Sequence, residues 1–166
     1  ILAYTNKLII RQYKETDLES LANLFRDTIY AVNAKDYTSE QLDAWADGCT
    51  DISALNKRFL SSFTLVAVRN GKAVGFGNID DTGYLDMLFV HKDLQNCGIA
   101  SAICEKLEQS CSSGSITVHA SVTARGFFEK RGYKQIKRQA AKRRGVSLIN
   151  FAMQKNMPQE EDNDRI

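Results

Sequence analysis

The chain has 166 residues, 43% of them hydrophobic and 25% charged, with a formal net charge of +2. Those proportions exclude a disordered chain and suit one folded domain with a sizeable core. So small a net charge does not call for a nucleic-acid partner, and no apolar run approaches the roughly 20 residues that cross a bilayer.

The chain opens at Ile1 without Met, and no signal-peptide pattern follows. Its four cysteines, Cys49, Cys97, Cys104 and Cys111, include no Cys-x-x-Cys pair and no His at zinc spacing. No metal is therefore expected, and free thiols in a reducing cytoplasm are the simplest reading. Cys104 and Cys111 are expected as small core residues.

In chain order, residues 7–13 read as a first strand. Thr16 and Glu19 form a capping-box pattern ahead of a helix with Leu18, Leu21, Ala22, Leu24, Phe25 and Ile29 on one face. A second such box, Thr38 with Gln41, opens a short helix carrying Leu42, Ala44 and Trp45, and residues 51–62 read as a third. Residues 63–69 and 72–80 are strands joined at Asn70-Gly71, a strong hairpin signal. Asp81, Thr82 and Gly83 then turn the chain into a third strand.

That third strand begins the stretch around which the chain is organised. Residues 84–90 are apolar on both alternating faces except at Asp86, which suits a central strand covered on both sides. A polar connection through His91, Lys92 and Asp93 reaches Gln95, Asn96, Cys97 and Gly98. A helix follows, with Ile99, Ile103 and Leu107 on one stripe. A helix that starts at a small-residue loop offers unpaired backbone N–H groups and the positive end of its dipole, an arrangement that binds phosphate.

After that helix, residues 112–115 are a loop, and 116–122 are a strand expected to run parallel to 84–90. A short helix (124–130) and a final hairpin (133–141 and 146–154, around Arg143-Arg144-Gly145) complete a domain of residues 1–155. A polar, acidic tail is expected from Asn156 onward. The fold class is thus α/β (α+β): a mixed, mostly antiparallel sheet with one parallel pair and helices on both faces.

The stretch Leu88-Phe89-Val90, then Gln95, Gly98, Ile99, Ala100 and Ser101, resembles the acyl-CoA-binding motif of the GNAT (Gcn5-related) N-acetyltransferase superfamily. In that motif the loop reads [QR]-x-x-G-x-[GA], and Gln95, Gly98 and Ala100 stand at the defining positions. Ser121, Ala124, Phe127, Phe128, Gly132 and Tyr133 resemble a second superfamily pattern, with Ser121 where Asn is common and Phe128 where Tyr is common. Within the superfamily the chain is similar to bacterial acetyltransferases of the YafP type. The similarity lies in residues 86–90, 37–46, 123–129 and 149–153.

The resemblance implies transfer of an acetyl group from acetyl-CoA to a primary amine of a small molecule or a protein. The loop residues Gln95, Asn96, Cys97, Gly98, Ile99, Ala100 and Ser101 would hold the pyrophosphate, and the backbone of Leu88, Phe89 and Val90 would pair with the pantetheine arm. Ser121 and Phe128 would also line the cofactor site. The partners are then acetyl-CoA and an amine acceptor, with no membrane, for a monomer or homodimer.

The catalytic groups are less legible. Asp86 is a carboxylate in an apolar strand and must be paired, reached by solvent, or raised in pKa; the last two suit a general base. Strand alternation puts it on the face of Tyr84, Leu88 and Val90. Phe128 cannot protonate the departing thiolate, so Tyr133, Tyr84 or another group substitutes, or the thiolate leaves unassisted. Tyr30, Tyr37 and Trp45 stand in the helices expected to cover the acceptor, where aromatic faces can cradle an ammonium or simply pack.

His119 alone is more readily structural, and the Lys134, Lys137, Arg138, Lys142, Arg143, Arg144 cluster more readily a solvated hairpin face than a site for an acidic partner. A non-catalytic acyl-CoA sensor, an enzyme using another acyl group, and a basic nucleic-acid-binding module are the alternatives.

Overall fold

The computed structural model describes residues 6–158. Seven strands form one sheet in the order β1-β2-β3-β4-β5-β7-β6: β1 (Ile9–Gln12), β2 (Phe63–Arg69), β3 (Lys72–Ile79), β4 (Tyr84–Val90), β5 (Ser115–Ser121), β6 (Lys134–Arg143) and β7 (Val146–Asn156). The helices are α1 (Leu18–Val32), α2 (Ser39–Ala46), α3 (Ile52–Leu60), α4 (Ile99–Ser110) and α5 (Arg125–Lys130). All strand pairs are antiparallel except β4 with β5.

The local signals act largely as their chemistry requires. Asn70 and Gly71 both take positive φ in the β2–β3 hairpin, as a two-residue turn of matching twist demands. At α2 the box is reciprocal: Thr38 Oγ1 accepts the Gln41 N–H at 3.2 Å and Gln41 Oε1 accepts the Thr38 N–H at 2.9 Å. The expected box at Thr16 and Glu19 does not form. A 3-10 turn over Glu15–Asp17 precedes α1, and Asp17 takes the role instead. Its carboxylate accepts the Lys14 N–H and a bidentate pair from Arg11, a stronger capping arrangement than a neutral hydroxyl offers. Asn156, where the tail was expected to open, belongs to β7 and pairs with Ser115, and residues 159–166 lie outside the described residues.

Two buried clusters flank the sheet. On one face α4 lays Ile99, Ile103, Cys104 and Leu107 against Leu85, Val90, Val118 and Met153. On the other, α1 to α3 bury Leu21, Phe25, Ile29, Leu55 and Phe59 against Val66, Phe76 and Met87. Gly77 lets α4 approach closely, because a Cβ there would stand 3.0 Å from the Leu107 side chain.

The α4 face also holds a buried ionic cluster. The Glu108 carboxylate, 5% exposed, accepts from Arg131 at 2.7 Å and Lys155 at 2.8 Å, and from the Cys104 thiol at 3.3 Å. It ties α4 to the end of α5 and to β7. Tyr133, expected as a candidate proton donor, lies in this interior: it is 2% exposed, and its hydroxyl faces Cys104 at 4.0 Å. Burial, with Cys104 and Glu108 nearby, pushes its pKa far up. Of the helical cysteines, Cys104 is in the core as expected, while Cys111 is only half-buried.

Burial alone would raise the pKa of Glu108, but the hydrogen bonds from Lys155 and Arg131 outweigh it and hold the group below its ordinary 4.5. The stabilisation is therefore complete above pH 4.5 and is lost as the pH falls through the depressed folded-state value. Glu108→Gln should lower stability at neutral pH by about 1–3 kcal/mol, leaving Arg131 and Lys155 without their counter-charge. Urea denaturation across pH should show a shallower acid-side loss in the variant than in the parent.

Candidate active-site cleft

The parallel pair at the centre of the sheet is short. Only Tyr84 with Thr117 and Leu85 with Val118 are in register, and beyond them β4 and β5 diverge. The register with β3 shows why. Ile79 pairs with Leu85 and Asn78 with Met87, leaving Asp86 as an extra residue in β4. Such a bulge bends the strand and increases its twist. Asn78, fully buried, steadies the bulge by accepting the Met87 N–H on its Oδ1 at 3.0 Å. With Met87 bonded toward β3, alternation turns the Leu88 N–H and C=O into the opening.

The bulge also corrects the expected face of Asp86. Leu85, Leu88 and Val90 pack with α4, whereas Met87 and Phe89 pack with α1 to α3. Asp86 stands on the α3 side and is paired. Arg58 donates from Nε to Oδ2 at 2.5 Å and from Nη2 to Oδ1 at 2.6 Å. Of the three ways to keep a carboxylate in that strand, the fold uses the ion pair.

The opening is a cleft of about 1500 Å³. Leu94, Gln95, Asn96, Gly98, Ile99, Ala100 and Ser101 line one part together with α5. Asn96 and Gly98 take positive φ, of 58° and 81°. Nothing stands within 4 Å of where a Gly98 Cβ would be, so the loop backbone is accessible there. Gln95 turns inward instead: its Nε2 donates to the Val90 carbonyl at 2.8 Å, which also receives the Thr28 hydroxyl at 3.1 Å. It shapes the loop, and Val90 offers less free edge than Leu88. The Cys97 side chain is exposed and outside the cleft lining.

Ser121 and Phe128 also line the cleft, but both are engaged in holding the fold. Ser121 Oγ accepts the Ala124 N–H at 3.1 Å, starting the turn into α5. Phe128 is 3% exposed and packs edge-on against Phe127 and Tyr133.

The rest of the cleft is built by α1 to α3, β5 and the β6–β7 hairpin. Tyr84 is half-buried, with its ring edge-on to His119 at 5.2 Å between centroids. Burial, then the Asp86 charge, raises its pKa, so the hydroxyl keeps its proton. His119 is shifted the other way: burial and the Lys137 charge lower its pKa below the ordinary 6.5 against a smaller opposing pull from Asp86. It is uncharged at neutral pH and open to the cleft, a chemically competent position for a residue that its sequence context marks only as a lone histidine.

The three aromatics expected over the acceptor divide. Trp45 lines the cleft, edge-on to Tyr37 and Phe89. Tyr37 lines it too, but its hydroxyl serves as a strut, donating to the Ile149 carbonyl at 2.8 Å and accepting the Val122 N–H at 2.9 Å. Tyr30 is outside the cleft lining, exposed and donating to Asp43 at 2.7 Å. Arg58 and Asn78 are the residues that sequence reasoning missed, and His119 is the one it weighed as structural. The signal for Arg58 was that a mid-strand Asp requires a partner.

The sheet is thus split between two parallel strands, beside a helix that opens at an accessible, left-handed glycine. Residues 33–155 match the model of the acetyltransferase (GNAT) domain, and the chain belongs to that family. It is 35% identical over 149 residues to the uncharacterized N-acetyltransferase YafP of Escherichia coli K12, spanning 89% of this chain and 95% of that protein.

A crystal structure from Rhodopseudomonas palustris described as a GCN5-related N-acetyltransferase superposes with a TM-score of 0.88 at 32% identity, over 90% of this chain and 95% of the other. At 18% identity and a TM-score of 0.72, the PaiA N-acetyltransferase of Thermoplasma acidophilum, solved with coenzyme A, shares the fold over 91% of this chain and 99% of its own. Among the described residues no group of metal-ligating side chains is found, and no helix is long and apolar enough to cross a membrane.

The Arg58–Asp86 pair is partly exposed on the Arg58 side, which limits its worth to about 1 kcal/mol. A double-mutant cycle of Arg58→Gln and Asp86→Asn in denaturant should return a coupling energy near that value, with additive losses absent.

Proposed function

We propose that the protein transfers an acetyl group from acetyl-CoA to a primary amine by direct attack within this cleft. The observation that carries the reading is the split between β4 and β5 opening onto the α4 N-terminus. The pyrophosphate would sit on the N–H groups at the start of α4, with Gly98 admitting it closely. The pantetheine arm would pair with the edge of β4 that β5 leaves open, and the inward Leu88 N–H would polarise the thioester carbonyl. The family match and the solved relatives that hold coenzyme A or acetyl-CoA support this donor.

In the transfer, the amine nitrogen forms a bond to the acyl carbon and the carbon–sulfur bond breaks. His119, neutral because its pKa is lowered, would take the proton from the amine. Tyr84, which holds its proton, would return one to the departing thiolate in place of the hydroxyl that Phe128 lacks. Asp86 would then act through its pairs, holding Arg58 and keeping Tyr84 protonated, rather than as a base.

Calorimetric titration should show acetyl-CoA binding. Gly98→Val, which forces a β-branched residue to a φ of 81° and fills the loop, should weaken that binding at least about tenfold without unfolding the protein. Unchanged affinity would remove the phosphate role of the loop.

His119→Gln should lower kcat about 100-fold. In the parent, kcat should hold to below pH 6.5 before falling on the acid side, because the group must stay unprotonated and its pKa is shifted down; the variant should lose that limb. Binding of acetyl-CoA with no CoA release from any amine would instead mark a binding protein of the same fold.

A further inference from the structure

The acceptor part of the cleft carries a charge pattern that selects among amines. Two carboxylates line it, and each is already spent: Asp86 on Arg58, and Asp47 on Arg144 at 2.5 Å. The second pair, with Gln41 Nε2 donating to the Ser147 carbonyl at 2.9 Å, bends the tip of the β6–β7 hairpin onto α2. That bend carries Lys142 and Arg143 to the cleft wall, and neither is ion-paired among the described residues. At Tyr84 the Asp86 and Asp80 charges are opposed by Arg58 and Arg143, and at His119 the Lys137 charge, from the strand row that passes through Ala152, outweighs that of Asp86. Beyond the two ion pairs the wall therefore carries uncompensated cations, and among the described residues no free carboxylate lines it to receive a second ammonium group.

One neutral group completes the pattern. Asn150, level with Ser121 on β5 and Gln139 on β6, lines the cleft with a buried Oδ1 that has no hydrogen-bond partner. A buried acceptor without a donor is costly unless a ligand supplies one. An amine N–H fits it without adding a carboxylate.

We propose that the acceptor is a small amine bearing an anionic group, a carboxylate or a phosphate ester. Its acid end is held by Arg143 with Lys142, and its nitrogen lies between Asn150 Oδ1 and His119. A guanidinium suits both oxyanions, and its placement opposite Tyr84 orients the amine inward. Polyamines and other dications are disfavoured by the same charges. The inference rests on the acetyl-transfer reading and narrows it to a substrate class.

The test compares matched acceptors at fixed acetyl-CoA, following CoA release: β-alanine against propylamine, phosphoethanolamine against ethanolamine, and lysine against cadaverine. The acid-bearing member of at least one pair should have a kcat/KM about tenfold or more higher, and which pair responds distinguishes carboxylate from phosphate. Arg143→Ala should raise KM for that acceptor about tenfold with little change in kcat and in acetyl-CoA affinity, and Arg143→Glu should erase or invert the preference.

Asn150→Leu, which keeps the volume and removes the acceptor atom, should cost activity with all amines alike. Equal or better turnover of propylamine, ethanolamine and cadaverine would overturn the proposal while leaving acetyl transfer standing. A loss of acetyl-CoA affinity in Arg143→Ala would assign that residue to the donor and overturn it as well. No CoA release from any amine would instead count against the transfer reading itself.

Discussion

The architecture of the cleft depends on one irregularity, the extra residue that Asp86 inserts into β4. A regular parallel ladder would continue past Leu85 and Val118, and the sheet would close. The bulge turns β4 away after two paired positions, and the candidate cleft lies in the resulting gap. It exposes the Leu88 backbone, aims Asp86 at α3, and leaves β5 free to present His119 and Ser121. An unpaired edge inside a sheet is costly, so the gap survives only because other groups occupy its margins. Thr28 and Gln95 take the Val90 carbonyl, and Tyr37 takes the Val122 N–H and the Ile149 carbonyl.

The turn before β4 fixes where that gap starts. Asp80 Oδ1 accepts the N–H groups of Thr82 and Tyr84 at 2.9 and 3.0 Å, and Gly83 presents its carbonyl to the Thr117 N–H at 2.9 Å. A Cβ at Gly83 would lie 2.4 Å from the Ser115 carbonyl, so only glycine lets β5 begin alongside. The first rungs of the parallel pair are thereby anchored by backbone, while the later ones are absent. A rigid hinge line of this kind positions both walls of the cleft without requiring either to move.

Charge is distributed along the cleft in a matching way. In the proposed transfer the donor end would rely on backbone N–H groups and a helix dipole, which attract phosphate without a buried cation. At the opposite end of the cleft, where the acceptor would lie, the carboxylates of Asp86 and Asp47 are consumed by Arg58 and Arg144. What is left over is a neutral imidazole, a protonated phenol and hairpin cations without an ion-pair partner among the described residues, in a region where the aromatics Tyr37 and Trp45 serve mainly as packing and bracing.

Much of this was legible in the amino-acid order. Local rules placed the strands, the Asn70-Gly71 hairpin, the α2 capping box and the α4 junction at Gly98, because turn chemistry, periodicity and capping act over a few neighbouring residues. The resemblance of the Gln95–Ala100 loop pointed to the family for the same reason: its backbone geometry is written locally. What lay beyond it was long-range. Alternation placed Asp86 with Leu88 and Val90, but the bulge exists only against β3. Its partner Arg58 comes from a helix 28 positions earlier. Tyr133 and Tyr84 look alike as hydroxyls in sequence, and only burial sends one into the core beside Cys104 and the other to the cleft. The sequence by itself determined the elements and the loop that opens α4 at Gly98; the tertiary structure decided which side chains face the cleft, because pairing, burial and field depend on residues that meet only when the sheet is assembled.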